Sequence, residues 1–291
     1  MEGFKYYMIQ RGYNESTTDS YWRSVERFVA ETVNPESLGY RDILEYMNTI
    51  KLRYEHSATP VKILAAIKKY YDYLIELGKR DDHPCKNLIL KTKRKNKVIQ
   101  NDLMSAEELQ LLLYREERYY CQKIKNQLIL TLLIYQGVTI KEITELNVNH
   151  VNLDEGEIYI RPSDKLASRH LKLKPNQYRL MDRYLHDVRP ELVIKGYNFQ
   201  TKKLILTKAG NPIQYDDIKS LIKKQSNLLP EKIVTATTIR QSVISNWLNK
   251  QRIPMEQVQL MAGHKWISTT LKYKQDDNEK KREMINRFFP E

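Results

Sequence analysis

Two cysteines in 291 residues, Cys85 and Cys121, form neither a CxxC pair nor a Cys/His cluster, which argues against a disulfide framework and against a zinc site. Both are expected to be reduced thiols. Glycine is also scarce, at nine residues, and the chain has no self-similarity at a solenoid-like period and no low-complexity segment. The longest apolar run, Leu128 to Tyr135, is far too short to span a bilayer. The opening MEGFKYYMIQ lacks the basic, apolar and small-residue order of a secretory signal. A cytoplasmic protein with no membrane partner is the expectation.

What the chain has in excess is positive charge. Lys and Arg number 49 against 36 Asp and Glu, a formal net charge of +13. Residues 1–100 and the remainder are each net positive, so the excess is not an isolated tail. Such a balance favours a polyanionic partner, because phosphates release counterions when Lys and Arg neutralise them; a generic basic enzyme is the other reading. The length suits two domains better than one.

Residues 1–90 read as a small helical bundle. A polar start at Asn14 to Thr18 leads into a helix with Trp22, Val25, Phe28 and Val29 on one face. A second helix carries Ile43, Leu44, Met47 and Ile50. A third opens at Pro60, presents Val61, Leu64, Ile67, Tyr71, Leu74 and Ile75, and stops at Gly78. Apolar periodicity then gives way to KTKRKNK, so residues 91–101 read as a basic linker. Its Lys91, Lys93, Arg94, Lys95 and Lys97 either form a solvated charge run or lie along a phosphate backbone.

A second domain, residues 102–275, opens with a capping-box spacing, Ser105 to Glu108. Helices follow from Ile124 and over Thr139 to Leu146. The period then changes to alternation in Glu157 to Arg161 and in His170 to Leu173, which predicts an antiparallel hairpin with Lys165 near its turn. A further strand is expected over Lys203 to Thr207. Helical spacing returns with Ile218, Leu221 and Ile222, then Ile239, Val243, Ile244 and Trp247, then Val258, Leu260 and Met261. In the tail, residues 276–291, Met284, Ile285, Phe288 and Phe289 have helical spacing. The fold class is therefore mainly α in two domains, a helical bundle followed by an α+β domain with a small antiparallel sheet.

The segment AGHKWISTTLKY runs from Ala262 to Tyr273: Gly-His, then a Thr pair, then a tyrosine nine residues after His264. This resembles the last motif of the tyrosine recombinases, the phage integrase family. The resemblance implies Tyr273 as the nucleophile on a DNA phosphodiester and His264 as a hydrogen-bond partner of the phosphate. Thr237-Thr-Ile-Arg240 is similar to the family's His-x-x-Arg helix start, with Arg240 at the matching arginine and Thr237 in place of the histidine. A planar, always-charged guanidinium suits the charge of a pentacovalent transition state. Lys165 matches the lysine that protonates the leaving 5′ oxygen from a mobile turn, with Arg169 and Lys172 as competitors for that role.

One segment departs from the family. Tyr135 to Leu146 resembles the Gly-x-Arg-x-x-Glu-Leu helix, with Glu142 as its acid, but Thr139 replaces the arginine. A threonine hydroxyl brings one hydrogen bond and no charge, so transition-state stabilisation falls unless another cation substitutes. Lys141 sits two residues along and points about 200° away around the helix axis.

The resemblance extends over nearly the whole chain, with GYNESTTDSYWRSVERFV and AIKKYYDYLIELG similar to the family's SAM-like core-binding domain. It implies duplex DNA as partner, two domains closing on it as a clamp, and homo-oligomers from dimer to tetramer, with the tail docking in cis or on a neighbouring protomer. It also implies strand exchange through a 3′-phosphotyrosyl bond, for site-specific recombination or the integration of a mobile element, with no metal or nucleotide cofactor. Three readings follow: an active recombinase, a catalytically impaired relative that serves as an architectural or regulatory DNA-binding protein, and an unrelated basic helical protein.

Overall fold

Phe4, Tyr7 and Met8 recur at helical spacing and are buried along α1 (Glu2–Gln10), a helix that precedes the first one expected from the sequence. In the computed structural model the described residues are 2–54, 58–90, 102–114, 117–197 and 200–274. The basic stretch with Lys91, Lys93, Arg94, Lys95 and Lys97 lies outside them, as does the tail 276–291. The chain divides into two compact units, residues 1–96 and 97–291, each with its own apolar core.

In the first unit, α2 (Glu15–Glu31) begins where the Asn14 side chain accepts from Thr17 N at 2.8 Å. It buries Val25 and Phe28, with Trp22 and Val29 packed against the core edge. Helix α3 (Tyr40–Arg53) buries Ile43, Tyr46, Met47 and Ile50. Helix α4 (Thr59–Glu76) starts with Pro60 in its first turn and ends at Gly78, whose φ of 68° lets Lys79 N close back onto Leu74 O at 3.0 Å. It buries Leu64, Ile67, Tyr71 and Leu74 as expected, whereas Val61 is exposed. Edge-on ring contacts of Phe28 with Tyr46, Tyr70 and Tyr71 tie these helices together. Such pairs contribute about 0.5–1.5 kcal/mol each beyond area burial.

The second unit opens with α5 (Ala106–Leu111), capped reciprocally: Ser105 N donates to Glu108 Oε2 at 2.7 Å and Glu108 N to Ser105 Oγ at 3.2 Å. Helix α6 (Tyr120–Gln136) is polar in its first two turns, but Leu128 to Ile134 are all buried, so its second half runs through the centre of the core. Helix α7 (Ile140–Glu145) follows. Then come β1 (Val151–Asn152), β2 (Glu157–Ile160) and β3 (Arg169–Lys172), an antiparallel sheet in the order β1-β2-β3, with Ile160 opposite Arg169. Along β2, Ile158 and Ile160 point into the core, which is the alternation seen in the sequence. Helix α8 (Pro175–Arg183) continues through a π turn at 184–188 into α9 (Arg189–Lys195). After α10 (Tyr215–Gln225) come α11 (Ala236–Ser245), α12 (Met255–Ala262) and α13 (Ile267–Leu271). Leu260 points outward and is 72% exposed. Among the described residues no helix is long and apolar enough to cross a membrane.

The third strand of the sheet is β1, not Lys203–Thr207. That segment is fully buried at Leu204, Ile205 and Leu206, but its backbone pairs one residue at a time. Leu204 N donates to Leu146 O, Ile213 N to Ile205 O, and Leu206 N to the Tyr184 hydroxyl at 3.0 Å. Tyr184 in turn donates to Leu204 O at 3.2 Å. A buried phenol thus does what a neighbouring strand would do. Tyr184→Phe leaves two buried backbone groups without a partner and is predicted to destabilise the second unit by about 1–3 kcal/mol. Urea unfolding of the full chain, followed by the fluorescence of buried Trp247, measures it.

Candidate functional site

Two helix C-termini converge on one arginine. Helix α6 ends at Gly137 (φ 58°) and α12 at Gly263 (φ 71°), both in the left-handed conformation that glycine adopts without strain. The Arg240 guanidinium, three-quarters of the way along α11's first two turns, donates to Gly137 O and to Ala262 O, the latter at 2.6 Å. Each acceptor is the negative end of a helix, so the dipoles of α6 and α12 both favour the cation there. Burial acts against the charge and draws the guanidinium below its ordinary value, partly offset by Glu142. Two carbonyls fix its plane and leave its other N–H donors for a ligand.

Glu142 sits in the first turn of α7 and is buried. Its side chain accepts from Thr139 N at 2.8 Å and from Thr139 Oγ1 at 3.0 Å, while Thr139 Oγ1 accepts from Glu142 N at 3.2 Å. Arg169, at the start of β3, completes the cluster with two bonds to the Glu142 carboxylate at 2.6 and 3.3 Å. Side-chain exposure is only 4% for Arg169 and 5% for Glu142. Burial raises the Glu142 carboxyl, but the Arg169 pair and the Thr139 amide outweigh it and hold the group below the usual glutamate range. A Cβ on Gly263 would come within 2.5 Å of Arg169 Nη1, so this glycine serves close approach as well as the helix turn.

His264 follows Gly263 directly and is buried. Its backbone N donates to Gln259 O, and Gln259 Nε2 donates back to His264 O at 3.1 Å, which closes the turn. The ring's Nδ1 shares a hydrogen bond with Thr270 Oγ1 at 2.9 Å, leaving Nε2 for a ligand. The imidazole stacks on the Tyr273 ring, centroids 5.9 Å apart and planes 14° apart. Burial first, then the cations Arg240, Arg169 and Lys272, pushes the imidazole down to about 4. It is neutral at pH 7. Burial raises the Tyr273 phenol, against the pull of Arg240. Tyr273 closes the turn after α13, its N donating to Thr270 O and its O accepting from Asn249 Nδ2 at 2.9 Å.

Arg240, His264 and Tyr273 therefore come together, with Glu142 and Arg169 beside them. Lys165 stands in the eight-residue β2–β3 connection as the hairpin reading placed it, and it is exposed. Its competitors are engaged elsewhere: Arg169 with Glu142, and Lys172 with Glu157 at 3.0 Å. Thr237 is exposed in the first turn of α11, three residues before Arg240, and lines a cavity of about 290 Å³ with Ile140 and Ile222. Thr139 was read as a possible phosphate donor. Its hydroxyl is instead occupied by the capping box of α7, and Lys141, 3.8 Å from Glu145, is two-thirds exposed. Sequence reasoning weighed Arg169 only as a rival to Lys165 and gave Thr270 no role. The sole signal for Arg169 is its place just before the alternation of His170 to Leu173.

Two outcomes test this electrostatic account. Glu142→Gln leaves the Arg169 charge buried without its counterion and is expected to destabilise the chain by about 3–5 kcal/mol in chemical unfolding. His264 has a folded value of about 4 against 6.5 for the free side chain. Its contribution to stability is complete above pH 6.5 and declines as pH falls toward 4, since the unfolded chain binds the proton first. The NMR signal of the His264 ring, assigned by its loss in His264→Asn, should show no protonation from about pH 8 down to about 5.

Comparisons with known proteins identify the family and the fold. The family model for the phage integrase family matches residues 102–280, and the model for the phage integrase N-terminal SAM-like domain matches residues 1–78. Tyrosine recombinase XerD of Staphylococcus haemolyticus is 23% identical over 299 residues, covering 99% of this chain and 97% of that protein. XerD of Listeria monocytogenes is 22% identical, covering 100% and 98%. Among solved structures, a lambda integrase dimer bound to a COC′ core site superposes with a TM-score of 0.71 at 14% identity, over 95% of this chain and 94% of that one. The post-cleavage complex of XerH site-specific recombinase with a palindromic difH substrate gives 0.66 at 17% identity, over 90% and 76%. With both domains matched in order along the chain, this protein belongs to the phage integrase family, the tyrosine recombinases.

Proposed function

We propose that the chain cuts and rejoins duplex DNA at specific sites through a 3′-phosphotyrosyl bond at Tyr273. The observation that carries this reading is the stack of buried His264 on half-buried Tyr273 beside Arg240, whose guanidinium plane is set by two helix ends. In the forward step Tyr273 Oη bonds to phosphorus and its phenolic proton passes to solvent. The bond from phosphorus to O5′ breaks, the electron pair stays on O5′, and Lys165 Nζ supplies that oxygen's proton. The 5′ hydroxyl of a partner strand then reverses these changes and frees Tyr273, so no bond energy is lost between cutting and joining.

Arg240 and the Nε2 of His264 face the non-bridging oxygens and stabilise the charge that grows on them. A neutral imidazole is the suitable form, because it donates without adding another buried cation to the pair Arg169 and Arg240. Where relatives have a second arginine this site has Thr139, with its hydroxyl already committed to the helix cap. Less positive charge reaches the phosphate, and the chemical step is correspondingly slower. In this reading residues 1–90 and the basic stretch 91–101, with Lys91, Lys93, Arg94, Lys95 and Lys97, bind the duplex backbone, and residues 102–275 carry the chemistry. The lambda integrase it resembles is a dimer on its core site, and dimers or tetramers on DNA are proposed for this chain too, acting in the cytoplasm.

A nicked duplex bearing the cognate site, selected beforehand from random duplexes, traps the covalent step. Wild-type protein should form an adduct that survives denaturation and Tyr273→Phe should form none. Thr139→Arg should raise the rate of adduct formation by about a hundredfold, the worth of one transition-state donor. Tight site-specific binding with no adduct from wild type overturns the proposed activity.

A further inference from the structure

The turn that carries Lys165 is fastened on both of its sides to the segment that carries His264. Ser163 N donates to Leu166 O at 2.8 Å and Leu166 N to Ser163 Oγ at 3.1 Å, so residues 163–166 form a tight turn with Lys165 at its third position. After Lys165, Leu166 forms an isolated antiparallel bridge with His264, and Ala167 N donates to Gly263 O at 2.8 Å. Before Lys165, the carbonyl of Asp164 accepts from Lys265 Nζ at 2.9 Å. The backbone contacts on the far side depend on no particular side chain. The near side depends on Lys265.

We infer that Lys265 is a positioning residue that holds the Lys165 turn against the His264 turn, so that the ammonium of Lys165 is presented to the leaving oxygen. The inference rests on the assignment of Lys165 as general acid in the proposed function. Lys265 occupies the position immediately after a buried histidine whose own backbone is held by Gln259, so its Cα is fixed relative to Tyr273 and Arg240. An ammonium on a fixed Cα, bonded to the carbonyl one residue before Lys165, removes freedom from the residue whose position sets the rate of proton transfer. The resting turn is thus hydrogen-bonded at both ends. The exposed Lys265 ammonium has no other hydrogen bond or ion pair among the described residues.

The test compares the ordinary cognate site with one in which sulfur replaces O5′ at the scissile phosphate. A thiolate leaves without a proton, so that substrate does not need the general acid. Lys265→Met, which retains most of the stem and removes the donor, should slow adduct formation about tenfold on the oxygen substrate, the factor one charge-assisted hydrogen bond is worth, and leave the sulfur substrate unchanged. Lys265→Arg, which keeps a donor, should stay close to wild type on both. Lys265→Met equal to wild type on the oxygen substrate, or slowed equally on both, overturns the clamp. Lys165→Ala separates the two levels of the argument. If Lys165→Ala recovers on sulfur and Lys265→Met does not, the clamp alone fails; if Lys165→Ala is equally slow on both, the assignment of Lys165 fails and takes the clamp with it.

Discussion

Two guanidinium groups, buried Arg169 and half-buried Arg240, share one buried carboxylate, Glu142, and the second domain is arranged around keeping that imbalance stable. Arg169 takes the carboxylate itself. Arg240 is left with carbonyl oxygens at the ends of α6 and α12, where the two helix dipoles supply partial negative charge without supplying a counterion. A full carboxylate at that place would neutralise the cation, whereas carbonyls orient it and leave its charge for an anion to meet. The same excess of positive charge depresses His264 and opposes the upward shift of Tyr273. Ionisation of the phenol and binding of a phosphate therefore draw on one source.

Thr139 stands where the resemblance to the family implies an arginine. The substitution does not leave a hole in the fold, because a threonine at the start of α7 caps the helix and passes the load to Glu142, which remains bound by Arg169. What is reduced is charge facing the ligand. Stability and chemistry are separable at this one position, which is uncommon in a buried site, where removing a side chain usually costs both.

Much of the architecture was legible from local chemistry alone. Ser105 with Glu108, Pro60 and Gly78 each mark a helix boundary by satisfying or ending backbone hydrogen bonds, and these boundaries hold. So does the hairpin, because alternation at Ile158 and Ile160 is a one-face pattern that no helix tolerates. The spacing of Gly263, His264 and Tyr273 anticipates that these residues come together because all three lie within one helix–turn–helix segment. The misses are long-range. Leu204 to Leu206 has the composition of a strand, but its partners are a tyrosine hydroxyl from the π turn after α8 and single residues on two loops, none of which local periodicity encodes. Arg169 reads only as a competitor of Lys165 until a carboxylate 27 positions earlier is brought against it. Helix α1 is short and rich in aromatics, and its apolar face makes sense only once Tyr70 and Tyr73 of α4 are there to receive it.

The bonds made by Arg240 reach carbonyls 103 residues before it and 22 residues after it. Contacts of such sequence separation form late, since the entropy of closing long loops is lost before their energy is gained. Within this domain the tyrosine also comes after every other member of the site in the order of synthesis. A chain still folding, or one partly opened, therefore holds a phenol with no oriented guanidinium beside it. Competence to break DNA becomes a property of the finished domain and of no fragment of it, a safeguard built into the order of assembly for a protein whose proposed chemistry would be hazardous if performed early.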